Sequence, residues 1–359
     1  MRVIKIGGKV ISGKAKPFII AEAGVNYYDI AKKKNIHPIK AAKWMIREAA
    51  KAGANAIKFQ TYKAEKITSK YSPAYWDTSR EKAASQYDLF KRYDMFKEGD
   101  YKKLARYARK KKIIFLSTAF DEDAVDFLNK IMPAFKIASS DITNYPLIKH
   151  IARKKKPIFL STGASTIAEI REALSVIRRN GNPPVVIMHC ILNYPARYEN
   201  ANLIMIRSLK KNFPKYNIGY SDHTMPDPNM LVLTVAILFG ASVIEKHFTL
   251  DKSLPGNDHY HSMDQFDLRK IVDNINLLQK IIGSGQKAPI ITERISRKYA
   301  RRSIVANTFI KKGTRITKSM LVCKRPGTGI EPKKLSTIAG KKAKKDIKSD
   351  EVLKMKYLL

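Results

Sequence analysis

The stretch PIFLSTG, residues 157–163, places Ile158, Phe159 and Leu160 in a row between a proline and the small residues Ser161, Thr162 and Gly163. A short run with no polar face must be covered on both sides if it is a strand, which is the condition of a strand in a parallel sheet. Seven further runs share the pattern: PFIIAEAG (17–24), AIKFQT (56–61), IIFLSTAF (113–120), AFKIASS (134–140), VVIMHC (185–190), NIGYSDH (217–223) and SVIEKHFT (242–249). The segments between them read as helices. HPIKAAKWMIREAAKAG sets Ile39, Ala42, Met45, Ile46 and Ala49 on one face, DEDAVDFLNKI opens with acids, and TIAEIREALSVIRRNG ends on Gly181. NMLVLTVAILFGA is apolar all round and is expected to be buried. Eight such repeats over about 285 residues predict an α/β fold, a (β/α)8 TIM barrel. The competing doubly wound sheet is set aside because its Gly-rich phosphate fingerprint is absent.

One long interruption, residues 62–99, follows the second strand and is expected to form a lid on the catalytic rim. After Gly285 the pattern changes to short strands and Gly turns. The expected organisation is a barrel over 1–284, a linker over 285–296 and a small β-rich domain over 297–359.

Composition narrows the function classes. A chain that is 44% hydrophobic can bury a full core. No apolar run reaches the roughly 20 residues of a membrane span, and the first residues lack a signal peptide's apolar core, so a cytoplasmic, membrane-free protein is expected. Cys190 and Cys323 are the only cysteines, too few for a disulfide framework or a cysteine zinc site. Cys190 reads as a buried structural residue. The net charge of +38 favours anionic partners, but the lysine clusters are spread along the chain and no nucleic-acid-binding motif is present. Nucleic acid is therefore not the expected partner.

In a barrel, polar groups at the carboxyl ends of strands face the active site. Those ends carry Glu22, Lys58, Gln60, Thr118, Lys136, Ser139, Ser161, Thr162, His189, Ser221, Asp222, His223, Glu245 and His247. A buried strand lysine costs several kcal/mol unless an anion compensates it. That anion is either a neighbouring carboxylate such as Glu22 or Glu245, or a ligand. Lys58 and Lys136 together with Thr118, Ser139, Ser161 and Ser221 read as a phosphate and carboxylate pocket. His223 and His247 end adjacent strands and are candidates to share one divalent ion, the alternative being hydrogen-bonded core histidines. Strand alternation puts Glu245 and His247 on one face and Lys246 on the other. Beyond this strand, Asp251 reads as a solvated loop acid, His259 as a residue lining the site, and His261 as a loop histidine with no chemical role.

The chain resembles the sialic acid synthase family, phosphoenolpyruvate-dependent enzymes that make N-acetylneuraminate, legionaminate and pseudaminate. The resemblance is carried by FIIAEAGVN, AGANAIKFQT, FLSTAF, FKIASSDITNYPLI, KPIFLSTGAS, IGYSDHT, SVIEKHFTLDKSLPGND and VCKRPGTGI, spanning about residues 17–330. It implies that Lys58, Thr118, Lys136, Ser139, Ser161 and Ser221 hold phosphoenolpyruvate. It implies also that His223 and His247 bind Mn²⁺ (with Mg²⁺ or Co²⁺ as alternatives) and that Glu22 is the acid–base group. Lys58, Lys136 and His223 join Glu22 in the implied catalytic set. Gln60, Tyr194, Asp258 and Arg325 would contact the acylamino sugar. The C-terminal region looks like the antifreeze-like (SAF) domain of these enzymes, which reaches over the partner's barrel in a domain-swapped homodimer. Carbon 3 of phosphoenolpyruvate then adds to the sugar aldehyde, water adds at carbon 2, and the tetrahedral intermediate loses phosphate.

Three departures bear on the sugar. Leu192 stands where neuraminate-type members carry Asn, the 62–99 loop has no asparagine, and Asn257 occupies a usual proline position. Two other readings differ in class. One is a heptulosonate- or octulosonate-type enzyme with an aldose phosphate acceptor, against which residues 297–359 argue. The other is a non-enzymatic basic protein that binds carbohydrate or nucleic acid.

Overall fold

In a computed structural model describing residues 3–13, 15–76, 78–79, 81–256 and 258–359, all eight apolar runs are strands. They are β1 (Phe18–Gly24), β2 (Ala56–Thr61), β3 (Ile114–Ala119), β4 (Phe135–Ile137), β5 (Ile158–Ser161), β6 (Val185–Cys190), β7 (Asn217–Asp222) and β8 (Val243–His247). The sheet runs β3-β2-β1-β8-β7-β6-β5-β4, and every ladder is parallel. Pairing of β8 with β1, His247 opposite Glu22, joins the last strand to the first. β3 and β4 lie side by side, but no ladder runs between them among the described residues. The cylinder is thus complete except for one unpaired seam.

Each strand hands the chain to a covering helix: α1 (Pro38–Ala52), α2 (Glu98–Lys110), α3 (Glu122–Leu128), α4 (Tyr145–Arg153), α5 (Ile167–Arg179), α6 (Met205–Asn212), α7 (Leu231–Leu238) and α8 (Gln265–Ile281). Local sequence sets their ends. Asp121 caps α3 by accepting from the Ala124 amide at 2.9 Å, and Thr166 and Glu169 form a reciprocal capping box on α5. Gly181 follows α5 with φ +132°, and a Cβ there would lie 2.5 Å from the Ala152 carbonyl oxygen, so this turn requires glycine. In α1 the buried face includes Ala42, Met45, Ile46 and Ala49, while Ile39 is half-buried.

Helix α7 departs from its expected burial. Leu233 and Ala236 are buried, but Leu231 and Leu238 are 59% and 49% exposed. An outer-ring helix meets the sheet with one face only, so an apolar second face stays outside the barrel core. At the other end of the strands, the hairpin Ile4–Ile6/Lys9–Ile11 packs Gly7 against Ile114, the first residue of β3.

Residues Ser284–Leu359 form a second compact unit. Its antiparallel strands β9 (Ser303–Ala306) and β10 (Leu321–Lys324) pack with Ile310, Ile316, Ile338, Ile347 and Leu353 in a core of its own. Among the described residues no helix is long and apolar enough to cross a membrane.

Candidate active site

The carboxyl ends of the strands open into a cavity of about 530 Å³, a volume suited to small-molecule ligands. Glu22, Lys58, Gln60, Thr118, Lys136, Ser139, Ser161, Tyr194, Ser221, His223, His247 and Asp258 all line it, and Glu245 joins them. Of the sequence-derived candidates, Arg325 belongs to the second unit, where it precedes a cis proline. Three strand-end groups lie elsewhere. His189 bonds the Ala201 carbonyl at 2.9 Å, Thr162 donates to the Met188 carbonyl at 2.9 Å, and Asp222 faces away from the cavity.

The two strand lysines are buried and the carboxylates compensate them. Lys58 pairs closely with Glu22 and lies 3.7 Å from Glu245, while Lys136 donates to Glu245 Oε1 at 2.6 Å. Lys58 also donates to Thr118 Oγ1 at 2.9 Å, and Ser221 donates to Glu245 Oε1 at 3.1 Å. Burial pushes the Glu22 carboxyl up and the nearby Glu245 charge adds to it, against the opposing pull of Lys58. Burial works to raise Glu245 as well, but Lys136 and Lys58 outweigh it and hold Glu245 down to about 2. For Lys58 burial favours the neutral amine, yet Glu22 and Glu245 together raise it above the usual lysine range. The resting array therefore holds two cations in place, with Ser161 Oγ still lacking any hydrogen-bond partner. Preformed cations beside an unpartnered hydroxyl suit an anion. Cys190 also lines the cavity, and burial pushes its thiol up to about 11, away from the thiolate form.

Facing the lysines are two imidazoles. The His223 and His247 rings lie 5.4 Å apart, centroid to centroid. His223 Nδ1 donates to the Ile191 carbonyl at 2.7 Å, which leaves Nε2 for the cavity. His247 Nδ1 lies 3.5 Å from Asp258 Oδ2 without a hydrogen bond to it, and the ring can offer Nε2 to the cavity. Burial, with the His247 charge, pushes His223 down to about 3, so its ring is neutral and carries a lone pair at neutral pH. For His247 burial pulls down, but Asp258 more than offsets it and raises the ring. Two imidazoles on one cavity wall, His223 oriented by its hydrogen bond to Ile191 and His247 standing beside the Asp258 carboxylate, fit a divalent ion.

The flanking residues hold this geometry from behind. Lys246, between Glu245 and His247, points out of the cavity and donates to Asp222 Oδ2 and to the Thr224 carbonyl, both at 2.6 Å. Asp222 also accepts from Tyr220 Oη at 2.8 Å and from the Thr224 amide at 2.9 Å. Asp222→Asn is expected to cost about 3–5 kcal/mol by stranding the buried ammonium, read as a lower urea midpoint. Burial would raise Asp222, but Lys246 and these hydrogen bonds hold it below its usual value. A carboxyl depressed on folding stabilises fully above its unfolded pKa of about 3.9, and that contribution is lost as pH falls through the folded pKa.

The 62–99 segment contributes Tyr62, Tyr75, Trp76, Phe90 and Tyr93 to the cavity wall, together with Glu81 and Gln86. Their roles escape a strand-end reading because no periodic pattern marks them; the aromatic density of the segment was the available signal. His261 lies in a loop, as expected, and is 0% exposed there. His259 lines the cavity and bonds Thr249 Oγ1 at 2.8 Å, while Asn257 lies outside the described residues.

A profile of the NeuB family matches residues 45–287, and one of the SAF domain matches residues 301–359. The chain belongs to the NeuB family. NeuB relatives cover nearly the whole chain. An uncharacterized protein of Methanocaldococcus jannaschii is 44% identical over 355 residues, 98% of each chain. The N,N'-diacetyllegionaminic acid synthase of Legionella pneumophila is 37% identical over 348 residues, covering 95% of this chain and 94% of its own. Among solved structures, the N-acetylneuraminic acid (sialic acid) synthetase of Leptospira borgpetersenii, in complex with citrate, superposes with a TM-score of 0.71 at 32% identity. That match covers 82% of this chain and 95% of the other. The family is that of the sialic acid synthases, and its C-terminal SAF domain accompanies a TIM-like barrel here as well.

Proposed function

We propose that the chain condenses phosphoenolpyruvate with the open-chain aldehyde of an acylamino sugar, giving a nonulosonic acid and phosphate. The acceptor is N-acetylmannosamine or a 2,4-diacetamido-trideoxy sugar. The observation that carries the reading is one cavity holding buried Lys58 and Lys136 beside an unpartnered Ser161 hydroxyl, with the His223 and His247 pair also on its wall.

In this reading Lys58, Lys136, Thr118, Ser139, Ser161 and Ser221 bind the phosphate and carboxylate of phosphoenolpyruvate. Their positions precede the ligand, so charge is stabilised with little reorganisation. A divalent ion, Mn²⁺ or alternatively Mg²⁺ or Co²⁺, supplies Lewis acidity toward the sugar carbonyl when bound by His223 and His247. Glu22, a carboxylate beside Lys58 at rest, takes a proton from the water that adds at carbon 2 and passes it to the former aldehyde oxygen. The carbon 2–oxygen bond to phosphate then breaks, and the hydroxyl at that carbon becomes the ketone as its proton leaves with the phosphate. Gln60, Tyr194 and Asp258 orient the sugar, and the apolar faces of Tyr75, Trp76 and Phe90 suit its acyl methyl groups.

The test is phosphate release from phosphoenolpyruvate with Mn²⁺ and a panel of acylamino sugars. Release is expected with at least one of them. Release only with aldose phosphates would move the enzyme to the heptulosonate type, and none with any aldehyde would end the synthase reading.

Arg325 is the proposed sugar contact from the C-terminal domain, supplied across a domain-swapped homodimer. Mixing an Arg325→Ala chain with a Glu22→Ala chain is then expected to restore activity, since one of the two composite sites is intact. Mixed dimers that stay inactive would count against shared sites.

A further inference from the structure

A second group of donors shares His247 and Asp258 with the cavity wall and adds His261. His261 is 0% exposed, and neither of its ring nitrogens has a hydrogen-bond partner. Burying an imidazole with both nitrogens unmet is unfavourable, so something else must meet them. The loop that carries it is held firmly. The Met263 amide donates to the His247 carbonyl at 2.8 Å, the Thr249 amide to the Met263 carbonyl at 3.0 Å, and the Ser262 amide to the His259 carbonyl at 3.2 Å. The loop backbone is thus fixed, and the unmet nitrogens lie beside two more donors. His261 Nε2 lies 4.0 Å from Asp258 Oδ1, and His247 Nδ1, itself buried and without a hydrogen-bond partner, lies 3.5 Å from Asp258 Oδ2. One ligand atom from each of the three residues falls within 4.8 Å of the others. Donors bound tetrahedrally to one ion at about 2.0–2.2 Å stand roughly 3.3–3.6 Å apart, so the widest separation here has to contract by about 1 Å.

We infer that His247, Asp258 and His261 form an interior site for a borderline divalent cation such as Zn²⁺ or Co²⁺, adjoining the His223–His247 site and competing with it. Two imidazoles and one carboxylate match that ion class. Competition follows because a neutral imidazole has a single lone pair. His247 offers Nδ1 inward or Nε2 to the cavity, one at a time.

The inference separates from the synthase reading in a His223→Leu chain, whose cavity site lacks a ligand whatever the enzyme does. Equilibrium dialysis of the metal-stripped full chain with Co²⁺ is expected to show one ion bound to His223→Leu. In the His223→Leu/His261→Leu chain binding weakens at least about 100-fold. Leucine nearly matches the shape of the lost ring and removes its unmet nitrogens, which favours folding. A second measurement needs no further variant: Zn²⁺ added to ¹⁵N-histidine-labelled His223→Leu should shift the His261 ring resonances. An ion absent from His223→Leu, equal binding by the double variant, or unshifted His261 resonances would each overturn the interior site and leave water as the partner of those nitrogens.

Discussion

Lys58→Met is expected to lower kcat/KM for phosphoenolpyruvate by about 10²–10³-fold. Its ammonium lies between the Glu22 and Glu245 carboxylates and donates to Thr118, so it is the hub of the buried array. Removing it takes away a cation placed for the substrate and leaves two buried acids near one another. One of them must then take up a proton, and Glu22, already raised, is the group that does so. The loss should therefore appear in kcat as well as KM, because the acid–base group is disturbed along with binding. Steady-state kinetics with phosphoenolpyruvate varied will read both. A variant with near-normal constants would mean that the lysine serves the carboxylates alone.

His223→Ala and His247→Ala are each expected to reduce metal-dependent turnover at least about 100-fold, since even partners one step removed from a metal contribute 10–100-fold. His223 is the cleaner probe, because its Nδ1 is anchored on the Ile191 carbonyl and it takes no part in the His247–Asp258–His261 cluster. A titration of Mn²⁺ against activity distinguishes ligand from scaffold: a weakened ligand set shifts the half-saturating metal concentration, whereas a merely loosened wall does not. Wild-type rates and metal dependence in both variants would return the two rings to a structural role.

Much of this site was legible because strand ends announce themselves. Lys58 and Lys136 sit in apolar runs where a lysine is conspicuous, and strand alternation alone separates Glu245 and His247 from Lys246. The open question of what compensates the lysines has a two-part answer: Glu22 and Glu245 do so at rest, and the unpartnered Ser161 marks room for a ligand. Asp222 was misleading as a strand-end acid, because its position one residue before His223 turns it to the opposite face, toward Lys246. His261 was illegible for a different reason. It lies beyond the strand in a loop whose path is set by backbone bonds to His247 and His259, contacts with no periodic trace. The aromatic wall from residues 62–99 belongs to the same class, and α7 shows the limit of reading burial from composition when a helix touches its sheet on one side.

The unpaired seam has a mechanical meaning. Along every other interface the spacing of neighbouring strands is set near 4.8 Å by backbone bonds. Between β3 and β4 no such rung exists among the described residues, so there the girth of the cylinder can change without breaking a ladder. The two lips of that slit carry Thr118 and Lys136, both on the cavity wall. In the proposed complex one anion grips both lips, and the substrate then does for the eighth interface what peptide groups do for the other seven.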